Sequence, residues 1–64
     1  MKVIYDKTLD ILQIQFSNEP IVESDEEKKG LIIDYNKDGG IVAIEMLNAS
    51  KKVLQPNKVE YEIA

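Results

Sequence analysis

Two apolar, β-branched runs, Leu31-Ile32-Ile33-Asp34-Tyr35 and Ile41-Val42-Ala43-Ile44-Glu45-Met46-Leu47, flank the short segment Asn36-Lys37-Asp38-Gly39-Gly40. An Asn-x-Asp-Gly segment suits a type I turn whose last residue swings into the left-handed region, where Gly39 has no Cβ to clash. The two runs are therefore read as antiparallel neighbours in a tight hairpin. With Asn36 facing Gly40, the expected pairs are Tyr35 with Ile41, Asp34 with Val42, Ile33 with Ala43 and Ile32 with Ile44. Paired residues share a face and successive residues alternate. One face then carries Ile32, Val42, Ile44 and Met46. The other carries Leu31, Ile33, Tyr35, Ile41, Ala43 and Leu47, which makes these six the candidate interface residues. A hairpin apolar on both sides calls for cover on both sides.

At 64 residues the chain makes one small domain spanning 1–64, and such a domain buries only about 60% of the surface its unfolded chain exposes. Small domains compensate with disulfides, a structural metal or a partner. The chain has neither cysteine nor histidine, which removes disulfides, thiolate ligands, the commonest metal ligand and the side chain best suited to acid–base work near neutral pH. Self-association as a homodimer is the remaining route.

All eight basic residues are lysine, against twelve acids, for a formal net charge of −4. That sign is wrong for tracking a phosphate backbone, and no basic stripe with interleaved aromatics offsets it, so nucleic acid is not expected as a ligand. The start MKVIYDKTLD lacks a signal-peptide core, and no run reaches the ~20 apolar residues of a membrane span. A cytoplasmic protein with no membrane partner is the expectation.

In chain order, Lys2 to Tyr5 reads as a strand, and Asp6 to Asp10 as a loop shaped by its two aspartates accepting backbone N–H bonds. Ile11 to Phe16 alternates, with Leu12, Ile14 and Phe16 on one face and Gln13 and Gln15 on the other. Pro20 marks a loop, and Ile21 to Ser24 makes a short third strand. The charge run Asp25-Glu26-Glu27-Lys28-Lys29 reads as solvated loop, with an acidic lip for a basic partner as the functional alternative. After the hairpin, Asn48 is expected to cap a short helix over Ala49 to Leu54, and Pro56 stops it. Val59-Glu60-Tyr61-Glu62-Ile63 alternates as a half-buried strand does, and either closes its own sheet or adds to a partner's edge.

No catalytic constellation stands out. Asp34 and Glu45 interrupt apolar strands, yet the expected register places them on opposite faces, where only a register slip would let them form a dyad. Burial without a partner would raise either pKa, as in a general acid, whereas a strand-end carboxylate reaching water or Lys51 or Lys52 is the plainer reading. Asp6, Asp10, Asp34 and Asp38 match no Asp-rich metal loop. Tyr5, Tyr35 and Tyr61 read as core or interface aromatics, Ser17, Ser24 and Ser50 lack an activating histidine, and Gly39-Gly40 is a turn. No catalytic, metal or cofactor-binding residue is assigned and no cofactor is expected.

Tyr5-Asp6, Asp10, Leu12, Ile14, Gly30, Ile32, Asp34-Tyr35, Gly39, Ile44-Glu45, Leu47 and Ala49-Ser50-Lys51 follow one another in a characteristic order and spacing over positions 1 to 52. In these residues the chain resembles a small prokaryotic family catalogued as domain of unknown function 2283 (DUF2283). It implies a compact, mostly antiparallel β domain and supplies no activity or catalytic residue. Some relatives of this kind sit beside small toxin-like proteins, an association from which the resemblance implies an antitoxin-like partner of a small basic protein. Members follow the Ala-Ser-Lys segment with more helix, whereas this chain has Pro56 and the VEYEI pattern.

The expectation is a mainly β, small α+β domain: an antiparallel β-meander of five to six strands with one short helical turn near the C-terminus. Its expected role is a non-enzymatic, self-associating interaction module. The alternatives are the antitoxin-like role and a carboxylate-based hydrolase or metal-dependent enzyme.

Overall fold

The computed structural model describes all 64 residues. It contains β1 (Lys2–Asp6), β2 (Ile11–Gln15), β3 (Glu23–Lys28), β4 (Leu31–Tyr35), β5 (Ile41–Leu47) and α1 (Ala49–Lys52). All five strands lie in one antiparallel sheet. Their order, β1-β2-β5-β4-β3, departs from a simple meander. The hairpin β1–β2 and the meander β3–β4–β5 join where β5 returns to pair with β2.

The β4–β5 turn forms as its residues dictate. Asn36 Oδ1 accepts the N–H of Asp38 at 2.9 Å and of Gly40 at 2.8 Å. The Asn36 carbonyl accepts the Gly39 N–H at 3.1 Å, and Gly39 sits at φ +82°. Just beyond the turn the expected register is overturned. Tyr35 pairs with Ile41, but Asp34 pairs with Ala43, Ile33 with Ile44 and Ile32 with Glu45. Val42 is the extra residue of a β-bulge, and its carbonyl accepts the N–H groups of Phe16 at 2.7 Å and Ser17 at 3.4 Å. The bulge is where β5 takes over the end of β2.

The bulge also corrects the division into faces. Leu31, Ile33, Tyr35 and Ile41 share one face with Ile44 and Met46, whereas Ala43 and Leu47 lie on the other with Ile32, Asp34 and Glu45. The hairpin is therefore apolar on one side and mixed on the other. Pairing extends the apolar side through Leu12 and Ile14 to Val3 and Tyr5, and the mixed side through Gln13 and Gln15 to Lys2 and Ile4.

The run Asp25 to Lys29, expected as loop, lies largely in β3. All six β3 residues are exposed, and as an edge strand it pairs on one side only, so its charges keep their water. Val59 to Ile63 forms no strand, and Val59, Tyr61 and Ile63 are exposed. The helix stops at Lys52.

Little is buried. Val42, Ala43 and Ala49 are the only buried hydrophobic residues, and the apolar-face residues Leu12, Ile14, Leu31, Ile33, Ile44 and Met46 are only half-buried. With extents of 33 × 31 × 19 Å, the chain is close to a single layer, and folded domains bury a sheet face against a second layer.

Candidate functional site

One buried charged residue lies in the sheet. Asp34, near the middle of the mixed face, is 2% exposed, because it sits between β3 and β5 with Ser24 and Ala43 as cross-strand partners. Its Oδ1 accepts the Ser24 hydroxyl at 2.6 Å. Its Oδ2 is buried with no hydrogen-bond donor.

Glu45 lies diagonally across from it on β5, two residues on from Ala43. Diagonal neighbours on one face stand roughly 7–8 Å apart at the backbone, within the reach of long side chains. The Glu45 carboxyl comes within hydrogen-bonding reach of Asp34, and that bond, together with burial and the Asp34 charge, raises its pKa above the ordinary carboxylate value. Protonated, Glu45 can donate to Asp34; ionised, it puts two like charges side by side. No lysine forms an ion pair with either residue, and the single ion pair of the chain is Lys58 with Glu60 in the tail. Gln13, the β2 partner of Glu45, stands beside them on the same face.

The bulge thus brings together the dyad that the expected register excluded. It is a carboxyl–carboxylate pair able to hold a proton or a cation. Its visible signal was two acids interrupting apolar strands; Ser24 and Gln13 had none, because only strand pairing puts them alongside.

The other acids do structural work. Asp6 Oδ1 accepts the Leu9 N–H at 2.9 Å. Asp10, at φ +55°, holds the start of α1: its carbonyl accepts the Ala49 N–H at 3.0 Å, and its carboxylate accepts the Ser50 N–H at 2.9 Å and the Ser50 hydroxyl at 2.6 Å. Tyr5 adds its hydroxyl at 2.7 Å. The bonds from Ser50 and Tyr5 lower the Asp10 pKa. Asn48 makes no side-chain cap bond and instead takes the left-handed backbone at φ 54°, so Asp10 replaces it as the cap. Asp6, Asp10, Asp34 and Asp38 are not gathered, and nowhere do three or more Asp or Glu side chains converge. Ser17, Ser24 and Ser50 have no basic partner among their hydrogen bonds. Tyr35 donates to Glu27 at 2.6 Å.

The interface candidates divide as the bulge dictates. Leu31, Ile33, Tyr35 and Ile41 stay together on the apolar face; Ala43, fully buried, and Leu47 belong to the mixed face with the dyad. No helix is long and apolar enough to cross a membrane.

No curated protein matches this chain, and no solved structure does. The family model described as protein of unknown function (DUF2283) matches residues 2–50. That match takes in all five strands, the dyad and the Asp10–Ser50 clamp, and the chain belongs to the DUF2283 family.

Proposed function

We propose that this chain is a non-enzymatic interaction module that pairs with a second copy of itself through the apolar face of its sheet. The supporting observation is the mismatch between that face and the rest of the chain. Val3, Leu12, Ile14, Ile33, Ile44 and Met46 belong to one continuous apolar surface, and none of them is fully buried. Two such sheets stacked about 10 Å apart make a sandwich with a shared core. Each large side chain then taken fully from water contributes roughly 1.5–3 kcal/mol, which matters in a domain this small. We take its setting to be cytoplasmic, in keeping with a chain without cysteine.

Sedimentation velocity on the purified chain tests this reading. A dimer that dissociates in Ile33→Lys is the expected result, and a stable monodisperse monomer at micromolar concentration removes the proposal.

The β3 edge favours a second reading, an antitoxin-like grip on a small basic protein. Glu23, Asp25, Glu26 and Glu27 are exposed along a strand open on one side, where a basic partner can add its own strand under charge attraction. Co-expression with the neighbouring gene product, followed by pull-down, tests it; failure to recover a basic protein counts against it.

A further inference from the structure

We propose that Asp34 and Glu45 form a binding site for a single divalent cation of the hard, oxygen-seeking kind (Mg²⁺, Ca²⁺ or Mn²⁺), on the face of the sheet opposite the apolar one. Four observations support it. Asp34 is 2% exposed and, with Glu45 ionised, its Oδ2 has no donor, an arrangement that costs free energy unless something positive fills the place. Glu45 stands diagonally across from Asp34 on the same face of the next strand and brings a second carboxyl within reach of the first. No ammonium group balances the two: Lys2, the one lysine in the strand rows of this face, pairs with Gln15 at the far edge of the sheet, two strands or roughly 10 Å from Glu45 and three or roughly 14 Å from Asp34. Further oxygens stand on the same face: the Ser24 hydroxyl is 2.6 Å from Asp34, and Gln13 is the cross-strand partner of Glu45.

A proton shared by the pair neutralises one charge, whereas a divalent cation neutralises both. Carboxylate, hydroxyl and amide oxygens suit Mg²⁺, Ca²⁺ and Mn²⁺, and the absence of cysteine and histidine disfavours softer ions. With only two carboxylates converging, water fills the remaining coordination positions and binding is in the millimolar range rather than tight. Glu26 shares the face, but its Oε2 accepts the Gly30 N–H at 2.9 Å and is spoken for. The inference does not depend on self-association, because the opposite face carries that.

Titration of Mn²⁺ into the isotope-labelled full chain, followed by backbone NMR, locates any bound ion by paramagnetic broadening. The expected result is early, selective loss of the Gln13, Ala43 and Glu45 signals, reversed by excess Mg²⁺ or Ca²⁺ and abolished in Glu45→Gln. Broadening centred first on Asp25 and Glu27, or equal broadening of all exposed acids, overturns the proposal, since it shows only diffuse attraction to the acidic edge. No broadening at millimolar Mn²⁺ overturns it as well. The unmodified chain supplies this map, so the outcome stands even if Glu45→Gln does not fold.

Discussion

Asp10 and Ser50 lie forty residues apart and meet through two hydrogen bonds, the Ser50 N–H and hydroxyl each donating to a different oxygen of the Asp10 carboxylate. Asp10→Asn tests that clamp. Asparagine tolerates the left-handed backbone at φ +55°, but its amide offers one acceptor oxygen where Ser50 uses two. The Ser50 amide should exchange with solvent faster in Asp10→Asn, and faster again in Asp10→Ala, as read by hydrogen exchange. Because the folded pKa of Asp10 is lowered, the clamp contributes fully above the ordinary carboxylate range and is lost as pH falls through that depressed value.

Glu45 has the opposite sign. Its folded pKa is raised, so the native state holds a proton that the unfolded chain releases, and stability declines as pH rises from the ordinary carboxylate value through the raised one. In metal-free buffer, denaturant melts should show this decline in the unmodified chain. Glu45→Gln, whose amide donates to Asp34 at every pH, should flatten the curve. An unchanged slope in the variant excludes Glu45 as its source.

Tyr35 gives a spectroscopic readout of the apolar face. Its bond to Glu27 and the surrounding acids push its pKa up to about 12 from 10. Folding therefore favours the protonated phenol: the contribution is whole below pH 10 and disappears as pH climbs toward about 12. Glu27→Gln should bring the Tyr35 ionisation to lower pH in a tyrosinate absorbance titration of the folded chain.

Val42→Ala should cost about 2 kcal/mol. Val42 is 1% exposed, and its loss combines two buried methyl groups with a cavity beside the bulge. For a domain this small, the thermal midpoint should fall on the order of 10 °C. Ile41→Ala, at a position 48% exposed, should cost far less in the monomer, and differential scanning calorimetry on both variants checks the contrast.

The sequence reveals the parts of this fold that rest on local chemistry. Asn36, Asp38 and Gly39 specify their turn through bonds made within five residues, and the alternation of Ile11 to Gln15 follows from one strand having two unlike faces. What it hides depends on pairing across the sheet. A bulge at Val42 leaves no mark on composition or alternation, so counting from the turn sends Asp34 and Glu45 to opposite sides. The acids of β3 suggest a loop because charge signals water, yet an edge strand is wet as well. Asn48 looks like a cap because it has the right side chain, whereas the cap arrives from Asp10, brought close by β2 pairing with β5. The tail shows the converse, since VEYEI has a strand's alternation without a strand's partner.

Val42 sets the parity of the ribbon. Because Val42 stays out of the ladder, Asp34 and Glu45 come out as neighbours; paired opposite Asp34, it would turn each away from the other. A ladder that kept Val42 in step, opposite Asp34, would leave the composition of both surfaces' acids intact and still dissolve the pair. The chemistry of the face is thus governed by the arithmetic of strand pairing: the same two acids stand in the sequence whichever way the ladder runs, and the kink that leaves Val42 unpaired is what turns them to one side.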